Sequence, residues 1–268
     1  MGKLSDYSRN KLLDHLLGGT AYTPAATLYL ALCTDTPASS ETGSTISEVS
    51  YTGYGRKAIT FGAANLTGRN ITQNAQVSFD QATAGDTTAV GWAICDADSA
   101  GNMLAYGTLD TSKQITTNNT PTVASGEVVI TMTASGGIAN YAVQKLLDLM
   151  FRNQAFTQPT IYCALTSAVI VDTDTGSTIT ELAGTDYARG AVATGDPASS
   201  GASANTAKID FGTAGSGGWG DLDAACLVDA TSAGNLLAYD NDNVVDQTIS
   251  ESDPVEFAAG AFDIAFAA

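Results

Sequence analysis

The feature that most constrains this chain is that it is written twice. At an offset that stays between 132 and 134, Lys11-Leu12-Leu13-Asp14 returns as Lys145-Leu146-Leu147-Asp148. Gly43-Ser44-Thr45-Ile46-Ser47-Glu48 returns as Gly176-Ser177-Thr178-Ile179-Thr180-Glu181, and Tyr54-Gly55-Arg56 as Tyr187-Ala188-Arg189. Ser99-Ala100-Gly101-Asn102-Met103-Leu104-Ala105-Tyr106 has its counterpart in Ser232-Ala233-Gly234-Asn235-Leu236-Leu237-Ala238-Tyr239. A period of this length excludes solenoids and propellers, whose units run roughly 20 to 50 residues, and each copy is long enough to bury a core. We therefore expect two tandem domains, residues 1–134 and 135–268, joined near the small-residue stretch Ala134-Ser135-Gly136-Gly137. The alternative is a single sandwich with internal symmetry.

Each copy opens on a helical pattern. Leu12, Leu13, Leu16 and Leu17 share one face, with Ser8 as the cap and Gly18-Gly19 as the stop; Val143, Leu146, Leu147, Met150 and Phe151 repeat that face. The rest of each copy reads as short strands separated by Gly, Asn, Asp, Ser and Thr clusters. They are expected near 27–33, 54–62, 75–80, 89–95, 102–109 and 126–132, and near 160–166, 187–193, 207–211, 223–228, 235–239 and 260–266. In the last of each set, Val128, Ile130 and Met132, and then Phe262, Ile264 and Phe266, alternate onto one side. The expected fold class is mainly β: two tandem antiparallel β-sandwich or barrel domains, each preceded by one N-terminal α-helix.

Charge narrows the partners. The net charge is −17 with only 11 basic residues, scattered along the chain, which argues against nucleic acid or an anionic membrane, since phosphate binding draws on clustered Lys and Arg. The first fifteen residues interleave charges with apolar positions and leave no signal-peptide core, and no stretch approaches the roughly 18 apolar residues of a membrane helix. The charge is also uneven: residues 1–134 carry −4 and residues 135–268 carry −13. The first copy, with Arg56, Lys57 and Arg69, is accordingly the expected docking half, the second facing solvent.

Catalytic chemistry finds little to build on. The chain has one histidine, His15, whose counterpart is Leu149, so Ser-His-Asp or Cys-His constellations would all need that residue. None of the four cysteines is matched by a cysteine in the other copy, and there is no C-x-x-C spacing. They read as small buried hydrophobes, with Cys33–Cys95 or Cys163–Cys226 bridges open only if their strands are neighbours. Asp96-Ala97-Asp98-Ser99-Ala100-Gly101 opens like a calcium loop but places Ala100 at the fifth position and Gly107 at the twelfth. Asp172-Thr173-Asp174 and Asp240-Asn241-Asp242-Asn243 are weaker versions. The expected catalytic, cofactor and metal residues are none. For a carbohydrate-binding or adhesin module the available aromatics are Tyr22, Tyr51, Tyr54 and Trp219; a hydrolytic depolymerase would need a carboxylate pair across a cleft.

The run Arg9-Asn10-Lys11-Leu12-Leu13-Asp14-His15-Leu16-Leu17-Gly18-Gly19, then Pro24 and Thr27-Leu28-Tyr29-Leu30-Ala31-Leu32, resembles the start of small virion structural proteins of tailed bacteriophages. So do Tyr54-Gly55-Arg56 and Gly101-Asn102-Met103-Leu104-Ala105-Tyr106-Gly107. The second copy departs from the pattern, with Arg152-Asn153 in place of Gly18-Gly19. The resemblance implies a tail-fibre-like or head-decoration-like β module: a non-enzymatic virion protein, assembled in the host cytoplasm, whose partners are capsid or tail subunits. It also implies a homo-oligomer; a trimer would array six such modules about one axis. The motifs mark turns and helix ends, so they carry over no binding residue.

Overall fold

The computed structural model describes residues 1–132, 137–193, 198–199, 201–242 and 247–266. The expected linker at 134–136, and with it the boundary between 134 and 135, lies outside the described residues.

The chain enters through β1 (Lys3–Leu4) and turns at Ser5 into α1 (Asp6–Leu16). Ser5 is the cap, correcting the expectation of Ser8: the Ser8 N–H donates to Ser5 Oγ at 3.2 Å, so Ser8 already sits in the first turn. The helix stops where expected. Gly18 takes a left-handed conformation (φ +77°), and the Leu17 and Gly19 N–H groups close back onto the Leu13 and Asp14 carbonyls. The strands are β2 (Leu28–Cys33), β3 (Lys57–Ile59), β4 (Asn70–Thr72), β5 (Val77–Ser78), β6 (Thr87–Cys95), β7 (Met103–Ile115), β8 (Thr122–Val123) and β9 (Val129–Thr131). An antiparallel sheet runs in the order β1-β7-β6-β2-β3, and β4-β9 and β5-β8 form separate two-stranded pairs.

The second copy repeats the plan. Helix α2 (Asn140–Arg152) ends on Asn153, which adopts the left-handed conformation (φ 52°) and donates its N–H to the Asp148 carbonyl as Gly19 does to Asp14. Asparagine tolerates this geometry better than other side chains, and the left-handed position falls one residue later than in the first copy, where Gly18 and not Gly19 takes it. Then come β10 (Tyr162–Thr166), β11 (Gly190–Ala191), β12 (Ala202–Ala204), β13 (Ile209–Thr213), β14 (Gly220–Leu222), β15 (Ala224–Val228), β16 (Leu236–Asp240), β17 (Gln247–Ile249), β18 (Pro254–Phe257) and β19 (Asp263–Ala265). The sheet order is β11-β10-β15-β16, with pairs β12-β19, β13-β18 and β14-β17. Even the register repeats: Leu30 faces Ile94 in the first copy and Cys163 faces Leu227 in the second.

The fold is mainly β with antiparallel sheets, as expected, but the sheets are open and none closes into a barrel. The alternation predicted for the last strands holds: Val128, Ile130, Met132, Phe262, Ile264 and Phe266 are all buried. Strands β1, β4, β8, β12, β14, β17 and β18 fall outside the expected spans, because two- to four-residue segments are too short to display an alternation. One hydrophobic cluster runs through both copies, joining Leu12, Leu16 and Ile130 to Leu146, Phe151 and Ile264.

Candidate functional site

The motifs most faithfully repeated in the sequence converge on one construction in each copy. Arg56, its side chain only 2% exposed, pairs with Glu48 at 2.7 Å. Its Nη1 donates to the Ala97 and Ala100 carbonyls at 2.9 and 2.8 Å, and its Nη2 to the Gly43 carbonyl. One guanidinium thus closes three loop carbonyls and a carboxylate. Tyr54 completes the group by donating to Glu48 at 2.6 Å while its oxygen accepts the Leu32 N–H of β2 at 3.1 Å. The second copy rebuilds this with Arg189, Glu181 and Tyr187: Nη1 reaches Ala230 and Ala233 at 2.7 and 2.8 Å, Nη2 reaches Gly176 at 2.7 Å, and Tyr187 accepts the Leu165 N–H at 2.9 Å. Burial and the neighbouring glutamates push the phenols of Tyr54 and Tyr187 far above their ordinary range. They remain neutral donors.

Both glycines of this clamp are dictated by space. The Gly43 N–H donates to Gly101 at 3.0 Å, and a Cβ on Gly43 would overlap the Ala100 carbonyl oxygen; Gly176 stands in the same relation to Gly234 and Ala233. The acidic turn belongs to the clamp as well. Asp96 accepts the backbone and side-chain N–H groups of Asn102, both at 2.7 Å, and Asp229 accepts those of Asn235 at 2.6 Å. These carboxylates hold the turn whose carbonyls Arg56 and Arg189 grip. Asp172 likewise accepts the Tyr239 hydroxyl at 2.8 Å, and Asp240 the Asp242 N–H at 2.9 Å; Asn243 lies outside the described residues.

His15 is buried. Its Nδ1 accepts the Tyr22 N–H at 3.1 Å and its Nε2 faces the Phe156 carbonyl at 2.8 Å, so the ring is a neutral tautomer with the proton on Nε2. Desolvation lowers its pKa, against the smaller opposing pull of the Phe156 carbonyl. All four cysteines are free and buried, and burial pushes the thiols of Cys95 and Cys226 up to about 12. The strands that carry them are neighbours, yet Cys33 faces Gly91 and Cys163 faces Leu227 rather than another cysteine.

The aromatics offered for sugar stacking are corrected by burial: Tyr22, Tyr51 and Trp219 are 8, 7 and 3% exposed, and Tyr54 is spent in the clamp. Trp219 donates to the Thr185 carbonyl at 3.0 Å and stacks edge-on against Tyr187. None of the chain's aromatic side chains falls among its exposed residues.

The three cations expected on a docking face occupy three settings. Arg56 is inside the clamp and reaches no surface. Lys57 stands at the surface beside Asp80 at 2.7 Å. Arg69 crosses to the second copy, where it meets Asp172 at 2.8 Å, the Asn140 side chain at 3.1 Å and the Ile138 carbonyl at 2.9 Å.

A cleft of about 510 Å³ lies in the first copy, between the β6–β7 ribbon and residues 123–129. Its buried floor is Leu30, Leu32, Trp92 and Val128, and its exposed rim carries Asp110, Lys113 and Glu127. Ala225 replaces Trp92 in the second copy, and there Asp223 interrupts the ribbon between β14 and β15.

Two successive stretches, residues 3–131 and 137–265, match the model of the podophage GP4 fiber I protein gp80 family. The chain belongs to this fibre family. The two matches span β1 to β9 and α2 to β19, and each takes in one complete clamp. Membership of the gp80 fibre family agrees with the resemblance read from the helix and turn motifs, and it makes the chain a bacteriophage structural protein carrying the family's module in tandem. No curated protein is a detectable relative.

Proposed function

We propose that the chain is a non-enzymatic component of a phage tail fibre, which acts by burying surface against capsid or tail subunits and so stabilising the assembled particle through mass action on the folded state. The observation that carries this reading is the use made of the repeated residues. In both copies Gly, Glu, Tyr, Arg and the acidic turn are consumed in an internal clamp, and none of them lines the cleft at Trp92. A catalytic or sugar-binding module repeated in tandem would keep its reactive or stacking groups in both copies, whereas Trp92 of the cleft is replaced by Ala225 in the second copy. Charge favours the first copy as the docking half, −4 against −13. Its surface would draw on Lys57 and on the sparse charge around it, since Arg56 is spent inside.

The test is binding by the purified chain. Retention on particles that lack the protein, with no binding to host-surface glycans or to host cells, is the expected result. Saturable glycan binding or release of reducing sugar would overturn it in favour of an adhesin or a depolymerase.

A further inference from the structure

Each helix is clasped from two sides. Helix α1 rests on β1 and β7 of its own copy, and its opposite side meets β12 of the other copy. Helix α2 rests on β16 of its own copy and meets β4 of the first. One pair of polar contacts obeys the same exchange, while Arg69 crosses from the first copy to Asp172, Asn140 and Ile138. Asp14 accepts the Ala198 N–H at 2.5 Å, and Asp148 accepts the Ala64 N–H at 2.9 Å. Both pairs are related by one offset of 134, so a helix residue of each copy meets the same loop residue of the other. Asn10 accepts the Gly201 N–H at 2.8 Å, and its counterpart Gln144 also crosses, donating to the Ala64 carbonyl at 3.2 Å, although Gly201 and Ala64 are not counterparts.

The equivalent apolar residues at the two helix ends, Leu17 and Phe151, also cross to the other copy, though to partners that are not counterparts. Phe151 packs on Phe61 with ring centroids 5.4 Å apart, while Leu17 sits among Ile161, Val192, Leu227 and Phe262. The two helices touch each other, and His15 of α1 packs against Phe156 just beyond α2. A contact in which i meets j and j meets i is the signature of a two-fold, self-complementary interface.

We infer that this helix-on-edge face is a recognition surface for a second copy of the same module, and that in this chain the sister copy fills it, holding the two halves together independently of the covalent linker. The helix carboxylates favour such a partner. Asp14, 9% exposed, takes the N–H of Ala198, and Asp148, which also pairs with Arg152 at 3.0 Å, takes that of Ala64, so each copy presents to its sister an N–H that a helix carboxylate accepts. Because the surface is occupied within the chain, contacts between chains must use other faces.

The test uses the whole chain, carrying a protease site in place of residues 133–136, folded first and then cut. Light scattering after gel filtration is expected to show the fragments travelling together with the mass of the intact 27.3 kDa chain. Separation of the halves at micromolar concentration, folded or not, would overturn the inference. In the cut protein, Asp14→Ala with Asp148→Ala should weaken the pair by roughly 10-fold for each lost bond to a charged acceptor, while the uncut double variant keeps its circular dichroism because the linker maintains a high effective concentration. Should that variant fail to fold, Asn10→Ala with Gln144→Ala removes the neighbouring bonds and should weaken the pair several-fold. Cut variants that dissociate no more readily than the cut parent would also overturn it.

Discussion

Removing the guanidinium of Arg56 is the perturbation whose size can be worked most directly from the structure. Arg56→Ala leaves Glu48 without its cationic partner, with only the Tyr54 hydroxyl still donating to it, and frees the carbonyls of Gly43, Ala97 and Ala100 from a group that is 2% exposed. Breaking a buried ion pair by deleting one member costs about 3–5 kcal/mol, because the surviving charge stays poorly solvated. Glu48 is 24% exposed, so water recovers part of its solvation and the lower end applies to it. The three carbonyls move the total back up, since each unsatisfied acceptor costs about 1–3 kcal/mol in its own right and the losses are not additive. A net loss of about 3–5 kcal/mol is expected.

For a chain of this size that corresponds to roughly 6–20 °C in Tm, at about 2–4 °C per kcal/mol. Urea unfolding monitored by circular dichroism measures it, and Arg189→Ala should behave alike through its own four partners. Arg56→Lys keeps the charge but lacks the planar fork, so it should fall between the parent and Arg56→Ala. A loss below about 0.5 kcal/mol for Arg56→Ala, the range of surface substitutions, would refute the clamp as a structural element.

Gly43→Ala should destabilise by about 1–3 kcal/mol through overlap with the Ala100 carbonyl, read as a drop in Tm, and Gly176→Ala should match it. The pKa of His15 lies below its ordinary 6.5 in the folded chain. The unfolded state therefore takes up the proton first, and the stability owed to the neutral ring is complete above about pH 6.5 and is lost as the pH falls below it. His15→Leu should flatten the fall in Tm between about pH 7.5 and 5.5, although it lowers Tm throughout by orphaning the Tyr22 N–H and the Phe156 carbonyl. The four thiols should resist a thiol reagent in the folded chain and react in urea, since burial both hides them and raises their pKa values.

The repeat, the two helices, the long strands and the alternating last strands were legible in the sequence, because each is written over enough residues to show a period. The short partners β4 and β12 of those last strands were not, and they are the elements that receive the opposite copy's helix. The sequence also showed one apolar face on α1, whereas the structure buries Ser8, Arg9, Asp14 and His15 too. A second buried side is invisible to periodicity when its contacts are polar and made by residues 184 positions away, as Asp14 is from Ala198.

The motifs Gly-Ser-Thr-Ile, Tyr-x-Arg and Ser-Ala-Gly-Asn were visible one by one. That they meet in one clamp was not, because its members lie as far apart as Gly43 and Gly101 and are joined by backbone carbonyls, which leave no mark in side-chain identity. Arg56 shows the consequence: an isolated cation in a sparsely charged copy resembles a docking residue until its four partners are in view.

The most direct measurement is an electron-microscopy map of the phage particle. The account predicts that the chain occupies fibre density as paired, two-fold-related lobes, with the first copy against capsid or tail subunits and both clamps closed inside. Particles that contain no such density while the protein accumulates free in the lysate would contradict it.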